Sequence, residues 1–119
     1  MQHSLPAMLD FFHEGKISLE KVVEKMCHAP ATCFGVDKRG FIREGYSADL
    51  VLADLQATTR VHPDTIYYKC GWSPFEGHIF NSKITHTFVN GTLVYEAEPD
   101  LLNGNFNEEY RGMRLNFNR

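Results

Sequence analysis

The stretch that decides the fold is KITHTFVNGTLVYEAE, residues 83–98. Two runs rich in β-branched and aromatic residues flank the pair Asn90-Gly91. Asparagine and glycine are the residues that most readily adopt the positive φ angles of a two-residue type I′ turn. The stretch therefore predicts a β-hairpin over residues 84–97, with Asn90-Gly91 at its tip.

The sequence before the hairpin also has strand character. The segment GFIREGYSADLVLADL, residues 40–55, contains a turn at Glu44-Gly45 and then a run of apolar residues. This run predicts a strand over residues 49–53, and because successive residues are all apolar, we expect both faces of that strand to be covered. TTRVHP, residues 58–63, predicts a short edge strand that ends before Pro63.

The first part of the chain has the apolar period of a helix. Leu5, Leu9 and Phe12 share one face, which predicts a helix over residues 5–14. Ser4 is a suitable N-cap residue for this helix, and glycine at the next position beyond it predicts its end.

A second helix follows the same pattern over residues 19–27. Ser18 is its predicted N-cap. Pro30 disfavours helical backbone in the residue before it, so we expect the helix to end near His28 and a separate short turn to occupy residues 30–34.

Helices precede strands along the chain, which predicts an α+β fold rather than alternating βαβ units. We expect a helical segment over residues 1–36, a β portion over residues 37–98 and a partly ordered tail over residues 99–119. The side chains that could anchor this tail are Phe106, Tyr110, Met113, Leu115 and Phe117.

The composition excludes several classes of protein. The chain has 119 residues and 43% apolar residues, which suits one domain with a core. The net charge of −3 and the scattered lysines and arginines predict no nucleic-acid partner, and the apolar runs are too short for a membrane span. The odd count of 3 cysteines favours free thiols, so we expect a cytoplasmic protein.

The loop YYKCGWSPFEGHIF, residues 67–80, holds a thiol, a carboxylate and an imidazole. Cys70 could pair with His78 or His62 as a nucleophile, but no third group that would orient the base can be named. No HxH or HExxH motif is present to bind zinc. The residues by themselves therefore predict no catalytic side chain, no metal ligand and no cofactor. The aromatic rings predict a loop that packs, and if Trp72 is buried its replacement by alanine should lower stability by about 3–5 kcal/mol.

Other motifs resemble a known family. KRGFIREGYSADLVLAD, residues 38–54, closely resembles the G-x-I-x-x-G-x-x-A-D-L-V-x-x-D stretch of metal-dependent amidohydrolases. HAPATCFGV (28–36) and FVNGTLVYE (88–96) are similar to two further segments of that family, and the K-x-x-x-S-P-F-x-G pattern of residues 69–77 points to dihydroorotases, with allantoinases next. The matching residues that we expect to be structural are Gly40, Gly45, Ala48, Asp49, Asp54, Ser73, Pro74, Phe75, Gly77, Asn90 and Gly91.

The resemblance implies that the helices are the last helices of a TIM-type barrel and that the strands form part of a small β-sandwich. It implies a parent enzyme that uses zinc to interconvert carbamoyl aspartate and dihydroorotate in pyrimidine biosynthesis. The metal ligands of that family all precede the part that residues 2–98 resemble, so none is carried onto this chain. Gln2 and His3 would lie near the substrate pocket of the parent.

From this resemblance we expect the chain to have a structural role and to be inactive alone. We expect its partner to be the N-terminal part of the parent enzyme. Without that part, strand edges and apolar faces would be left open, so self-association is also expected. Two alternatives stay open: a free-standing, non-catalytic, partner-binding subunit, and a segment of an allantoinase- or hydantoinase-type enzyme.

Overall fold

The computed structural model describes residues 2–98 and 104–118. Helices come first and antiparallel strands follow, which confirms the predicted mixture and its order. The helices are α1 (Ser4–His13), α2 (Leu19–Val23) and α3 (Ala29–Cys33), with a π-helical turn (Glu24–His28) between the last two. The strands are β1 (Leu50–Asp54), β2 (Thr59–Arg60), β3 (Ile79–Phe80), β4 (Lys83–Val89), β5 (Thr92–Glu96) and β6 (Asn105–Phe106), and a short 3-10 helix spans Pro63–Thr65.

Helix α1 differs from its prediction at the first turn. Ser4 is the first helical residue and His3 occupies the N-cap position, so the prediction of Ser4 as the N-cap is wrong. The helix ends at His13, one residue before the predicted end, and the predicted stop at Gly15 follows the C-cap residue with a φ of 70°, which only glycine adopts without strain. The N–H of Gly15 bonds to the carbonyl of Phe12 and the N–H of Lys16 to that of Phe11, both at 2.9 Å, which is the Schellman pattern.

The second helix begins as predicted, because the Ser18 hydroxyl accepts a backbone N–H of the first turn at 3.2 Å. Its predicted end near residue 28 is wrong, since helical backbone continues to Cys33. The π-helical turn explains the continuation. There the N–H of Ala29 bonds to the carbonyl of Glu24, and the wider turn accommodates Pro30, which lacks an N–H and would crowd a regular α-helix.

The larger sheet has the order β1-β4-β5-β6, and its pairs are antiparallel. The predicted hairpin is confirmed as β4 and β5, joined by Asn90 and Gly91 with φ angles of 50° and 81°. A two-residue turn with positive φ at both positions matches the right-handed twist of the flanking strands. The turn sequence therefore fixes the register of the centre of the sheet.

Strand β1 lies at the edge of this sheet, shifted by one residue from the predicted range of 49–53. The expectation that both of its faces are covered is wrong for the described part of the chain. Val51 is 47% exposed and Leu52, which points to the opposite face, is 49% exposed. The apolar run that predicted burial therefore lies on a strand whose two faces the described elements cover only about halfway at Val51 and Leu52.

A second, two-stranded sheet pairs β2 with β3 and contains part of the predicted edge strand of residues 58–63. The core around it is small, and its buried apolar side chains are Leu9, Val22, Ala31, Val61 and Phe80. The chain exposes 8588 Å², whereas a compact monomer of 13.6 kDa exposes about 6,600 Å². The radius of gyration of 15.2 Å likewise exceeds the value of about 13.5 Å for a compact chain of this length.

The described part of the tail contacts both sheet and helix. Phe106 lies opposite Tyr95 in the β5–β6 pair, and Phe117 forms a bridge with Val36 after α3. Met113 is 62% exposed. Residues 99–103 and 119 lie outside the described residues, so the predicted domain division and the order of the whole tail stay predictions.

No helix in residues 2–98 and 104–118 combines the length and the hydropathy that crossing a bilayer requires.

Candidate functional site

The candidate site is a contact between two parts of the chain, here called the α1 junction. One part is α1 together with the two residues before it, and the other part is the segment of residues 59–82. Its first member is Gln2, which the resemblance placed near a substrate pocket. The Gln2 Nε2 donates to the carbonyl of Thr65 at 2.6 Å, and its Oε1 accepts the N–H of Tyr67 at 3.0 Å. Both polar ends of the side chain therefore hold the backbone of one loop.

His3, the second predicted substrate-proximal residue, is buried beside the aromatic rings of the loop. Its Nδ1 lies 3.1 Å from Ser73 Oγ, and Ser73 Oγ accepts the N–H of Phe75 at 3.1 Å. The rings of Tyr68, Phe75 and Phe80 have centroids within 6.1 Å of the imidazole. Burial lowers the pKa of His3, so the neutral ring is favoured and can accept the Ser73 hydroxyl proton.

Asp10 is the centre of the α1 junction, and sequence reasoning did not select it. Its Oδ2 lies 2.9 Å from His78 Nε2, and its Oδ1 accepts the N–H of Asn81 at 2.9 Å. Burial alone would raise the pKa of the Asp10 carboxyl. The backbone hydrogen bond from Asn81, together with the hydrogen bond and charge of His78, outweighs burial, so the pKa is lowered. Asp10 therefore holds β3 against α1 as a carboxylate.

The last turn of α1 adds one more contact. His13 Nε2 lies 2.9 Å from the hydroxyl of Ser82, a residue with no exposed surface. The carbonyl of Ser82 accepts the hydroxyl of Thr59 at 2.8 Å, which links the helix to β2. The sequence did not predict these contacts. Asp10 and His13 are an i, i+3 pair of polar residues on a helix, and such pairs more often face solvent.

A cavity of about 580 Å³ lies beside the α1 junction, between the start of α1, β2 and the β4–β5 hairpin. Burial raises the pKa of Tyr95 in its wall to about 12, with the neighbouring Tyr67 phenol adding to the shift, so Tyr95 is a neutral group near neutral pH. Lys83 and Arg60 are the cations of its wall. The described lining thus offers hydrogen-bond donors but no paired acid and base.

The structure gives Cys70 and the two histidines considered as its base separate partners. Cys70 is exposed, and its Sγ lies 3.7 Å from the carbonyl of Trp72. The two histidines considered as its base have other partners: His78 bonds to Asp10, and His62 Nδ1 accepts the N–H of Asp64 at 3.3 Å. Trp72 is 61% exposed, so the condition for a large effect of its replacement is not met in this chain, and Phe80, at 1% exposure, is the buried ring of the loop.

The described residues do not bring together three side chains that could bind a metal ion. The closest arrangement is the pair of Asp10 and His78, but each oxygen of Asp10 already accepts a hydrogen bond. A zinc site needs three or four free donors in a tetrahedral arrangement. The donors among the described residues therefore do not fit the zinc ion that the resemblance implies.

Several of the family-signature residues meet at the hairpin turn. Asp49 Oδ1 accepts the N–H of Asn90 at 2.8 Å, and the N–H of Gly91 bonds to the carbonyl of Ala48 at 2.9 Å. Arg39 pairs with Asp49 and donates to Asn90 Oδ1 at 2.6 Å. Sequence reasoning missed Arg39, although its place beside the signature glycine was a possible signal. These side chains fasten the strand before the hairpin to its tip.

The other signature residues shape backbone. A Cβ on Gly40 would lie 2.7 Å from the carbonyl of Cys27, so only glycine fits there. Gly45 and Gly77 have φ angles of 77° and 81°, and the N–H of Gly77 bonds to the carbonyl of Val61 at 2.9 Å. Asp54 Oδ1 accepts the N–H of Gln56 at 2.8 Å. Pro74 is exposed, and its two neighbours, Ser73 and Phe75, both contact His3.

Comparison with known proteins gives the family of this arrangement. The model of the family described as "Amidohydrolase family" matches residues 2–94. The chain belongs to the amidohydrolase family. A dihydroorotase of Halobacterium salinarum is 36% identical to this amidohydrolase chain over 98 residues, which are 82% of the chain and 23% of the relative. The L-hydantoinase of Paenarthrobacter aurescens is 34% identical over 110 residues, 91% of the chain and 24% of the relative.

Solved structures agree with this assignment. The L-hydantoinase (dihydropyrimidinase) from Arthrobacter aurescens superposes with a TM-score of 0.75 at 36% identity, covering 85% of this chain and 23% of that structure. A D-hydantoinase superposes with a TM-score of 0.72 at 26% identity, covering 84% of the chain and 22% of that structure. The amidohydrolase chain therefore spans about a quarter of the length of the relatives that it matches.

Proposed function

We propose that this amidohydrolase chain is the C-terminal segment of a cyclic amidohydrolase that hydrolyses dihydroorotate reversibly, and that its role there is structural. The observation that carries the proposal is that the chain matches only a small part of a dihydroorotase, and that this part contains no group of metal ligands among the described residues. The match takes in 82% of the chain but 23% of the Halobacterium salinarum dihydroorotase, and the described residues of this segment hold no group of metal ligands. The catalytic groups of such an enzyme would therefore lie in the remainder.

The exposed surface supports a structural role. Phe11 on α1, Val23 on α2 and Phe34 after α3 are 44%, 41% and 69% exposed. Side chains of this size stabilise a protein when they are removed from water. We infer that these helices are the last helices of a TIM-type barrel, whose other elements cover those side chains.

Zinc would belong to the remainder of the enzyme, where it would supply Lewis-acid polarisation of the cyclic amide. The contribution of this segment would be made through the α1 junction. Gln2 and His3 would hold the loop of residues 65–75 where the chain enters α1, and so would position the end of the barrel close to the substrate pocket.

A hydantoin is the second candidate substrate. The match to the L-hydantoinase of Paenarthrobacter aurescens takes in 91% of this chain, more than the 82% matched to the dihydroorotase. Hydantoin and dihydroorotate are both cyclic amides, and the residues that distinguish them would lie in the remainder of the enzyme. The test must therefore offer both partners.

Reconstitution by mixing tests the proposal. The chain is added to the Halobacterium salinarum dihydroorotase, and separately to the L-hydantoinase, each shortened by the part that matches this chain. We expect binding to the shortened dihydroorotase and a gain in dihydroorotate hydrolysis over that protein alone, measured by absorbance. A gain only with the hydantoinase would favour the second candidate. Turnover by the chain alone, or binding to neither partner, would contradict the structural role.

A further inference from the structure

We propose that residues 104–118, here called the C-terminal strap, fasten the turn after α3 to the tip of the β4–β5 hairpin, and that the strap opens and closes as one unit while the rest of the chain stays folded. The proposal goes beyond the proposed function, because it concerns a conformational change within this chain. The strap also lies outside residues 2–94, which the amidohydrolase family model matches.

The C-terminal strap begins as a continuation of the sheet. Its first part contains β6, where Phe106 lies opposite Tyr95 with the two ring centroids 4.9 Å apart. One residue further, the N–H of Asn107 bonds to the carbonyl of Val94 at 3.0 Å. The first attachment of the strap is therefore the edge of β5.

The middle of the C-terminal strap contacts the hairpin tip. Asn90 Nδ2 donates to the hydroxyl of Tyr110 at 3.1 Å. A Cβ on Gly112 would lie 3.9 Å from Val89 Cγ1, so the strap passes the end of β4 at van der Waals distance. The Oδ1 of the same Asn90 accepts Arg39 at 2.6 Å. One side chain at the tip therefore joins the strap to the segment that precedes β1.

The end of the C-terminal strap is attached to the turn after α3, largely through backbone. The N–H of Asp37 bonds to the carbonyl of Asn116 at 2.9 Å, and the N–H of Asn118 bonds to the carbonyl of Gly35 at 2.8 Å. Asn118 Nδ2 also donates to Asp37 Oδ1 at 3.1 Å. A Cβ on Gly35 would lie 2.7 Å from the carbonyl oxygen of Asn118, so the strap approaches the turn as closely as a glycine permits.

These attachments form a closed circuit of contacts. The C-terminal strap runs from the hairpin tip, where Tyr110 meets Asn90, to residues 35–37. Arg39, two residues beyond that turn, leads back to Asn90. Because each attachment limits the movement of the next, we expect the loss of one attachment to loosen the others.

The C-terminal strap also has the features of a segment that opens locally. Its side chains Met113, Leu115 and Phe117 are 62%, 43% and 44% exposed, so closing the strap removes little apolar surface from water. Segments with few buried apolar contacts open at a lower free energy than global unfolding requires. β4, in contrast, is paired with a strand on each side. We therefore expect the strap to open while the sheet stays intact.

Hydrogen exchange of the unmodified chain, followed for single amides by NMR, tests the opening. The N–H groups of Asp37 and Asn118 both donate across the strap contact. We expect them to share one opening free energy, below that of the amides of β4. The N–H of Val36, which bonds to the carbonyl of Ala31 at 2.9 Å, is the control and should stay protected when the strap opens. Unequal opening free energies for Asp37 and Asn118, or protection equal to that of β4, would overturn the proposal.

Shortening the chain tests the coupling. A chain that ends at residue 115 loses the backbone bonds to the turn after α3 and keeps Tyr110. We expect the N–H of Asn90, which donates to Asp49 Oδ1 at 2.8 Å, to exchange about tenfold faster in that chain.

Two variants of the full-length chain test the coupling in the opposite direction. Tyr110→Phe should speed exchange at the N–H of Asp37, whereas Glu109→Gln, at the exposed neighbouring position, should leave it unchanged. The amides of β4 should stay protected in every variant. Unchanged exchange at Asn90 in the shortened chain and at Asp37 in Tyr110→Phe would overturn the coupling. Loss of protection in β4 on shortening would overturn the claim that the strap opens by itself.

Discussion

The α1 junction and strand β1 satisfy their side chains in opposite ways. Polar groups of α1 find partners within the chain, as Asp10 does with His78 and Asn81. Apolar groups of β1 do not, since Val51 and Leu52 stay about half exposed. The difference shows that the chain fixes its own helix–loop contact, whereas the described elements leave the β1 edge of its sheet without a neighbouring strand.

The largest expected effect tests whether the α1 junction is a core. Phe80 is 1% exposed and lies between His3, Phe75 and His78. Phe80→Ala should lower the free energy of unfolding by about 3–5 kcal/mol, measured by urea denaturation. Trp72→Ala is the matched aromatic control and should cost less than about 1 kcal/mol, because Trp72 is 61% exposed. Equal losses would remove the contrast between a buried junction and an open surface.

The next effect concerns the polar centre of the same junction. Asp10→Ala leaves the N–H of Asn81 and the ring of His78 without their acceptor, so it should lower the free energy of unfolding by about 1–3 kcal/mol. Asp64→Ala removes an exposed carboxylate that also lies beside a histidine. Its free energy of unfolding should stay within about 0.5 kcal/mol of that of the unmodified chain. If Asp10→Ala is equally mild, the polar contacts do not hold α1.

A smaller effect is expected at the hairpin tip, on the β1 side of the comparison. A Cβ at Gly91 has room, with Ala48 Cβ 4.0 Å away, so the cost of Gly91→Ala is its φ of 81°. The cost of placing an L-residue there is about 1–2 kcal/mol, measured by thermal unfolding. Gly112→Ala, at a glycine without positive φ, should be nearly neutral. A neutral Gly91→Ala would show that the turn does not fix the register beside β1.

The smallest effect is a pH dependence of the α1 junction. Burial lowers the folded-state pKa of His3 below its ordinary value of 6.5. The unfolded chain then binds the proton more readily, so this contribution to stability is complete above about pH 6.5 and is lost as the pH falls toward the folded-state pKa. His3→Asn cannot take up the proton and should flatten the stability profile between about pH 7.5 and about pH 5. An unchanged profile would show that His3 is not held neutral by burial.

The sequence predicted local structure well where a single residue type decides the backbone. Asn90-Gly91 predicted the turn, Gly15 the end of α1 and Ser18 the start of α2, because each acts through φ angles or one nearby hydrogen bond. The continuation of helix past Pro30 was not predicted, since a π-helical turn depends on packing of the whole helix.

Long-range partners were beyond the sequence pattern. Asp10 meets Asn81, 71 positions away, and Arg39 meets Asn90, 51 positions away, and no period or spacing encodes such pairs. In the loop of residues 67–80 the buried ring is Phe80, whereas Trp72 is 61% exposed, and the packing role of the loop stays a prediction. Burial of a ring depends on which elements surround it, and the composition of the loop does not specify those elements.

The central claim is that this amidohydrolase segment supplies structure and that the remainder of the enzyme supplies the chemistry. A measurement of zinc binding tests this claim most directly. The chain is dialysed against zinc, its metal content is measured, and dihydroorotate hydrolysis is assayed in the same sample. We predict far less than one zinc per chain and no turnover above the buffer blank, because the described donors do not converge on one point. One tightly held zinc per chain together with hydrolysis of dihydroorotate would contradict the account.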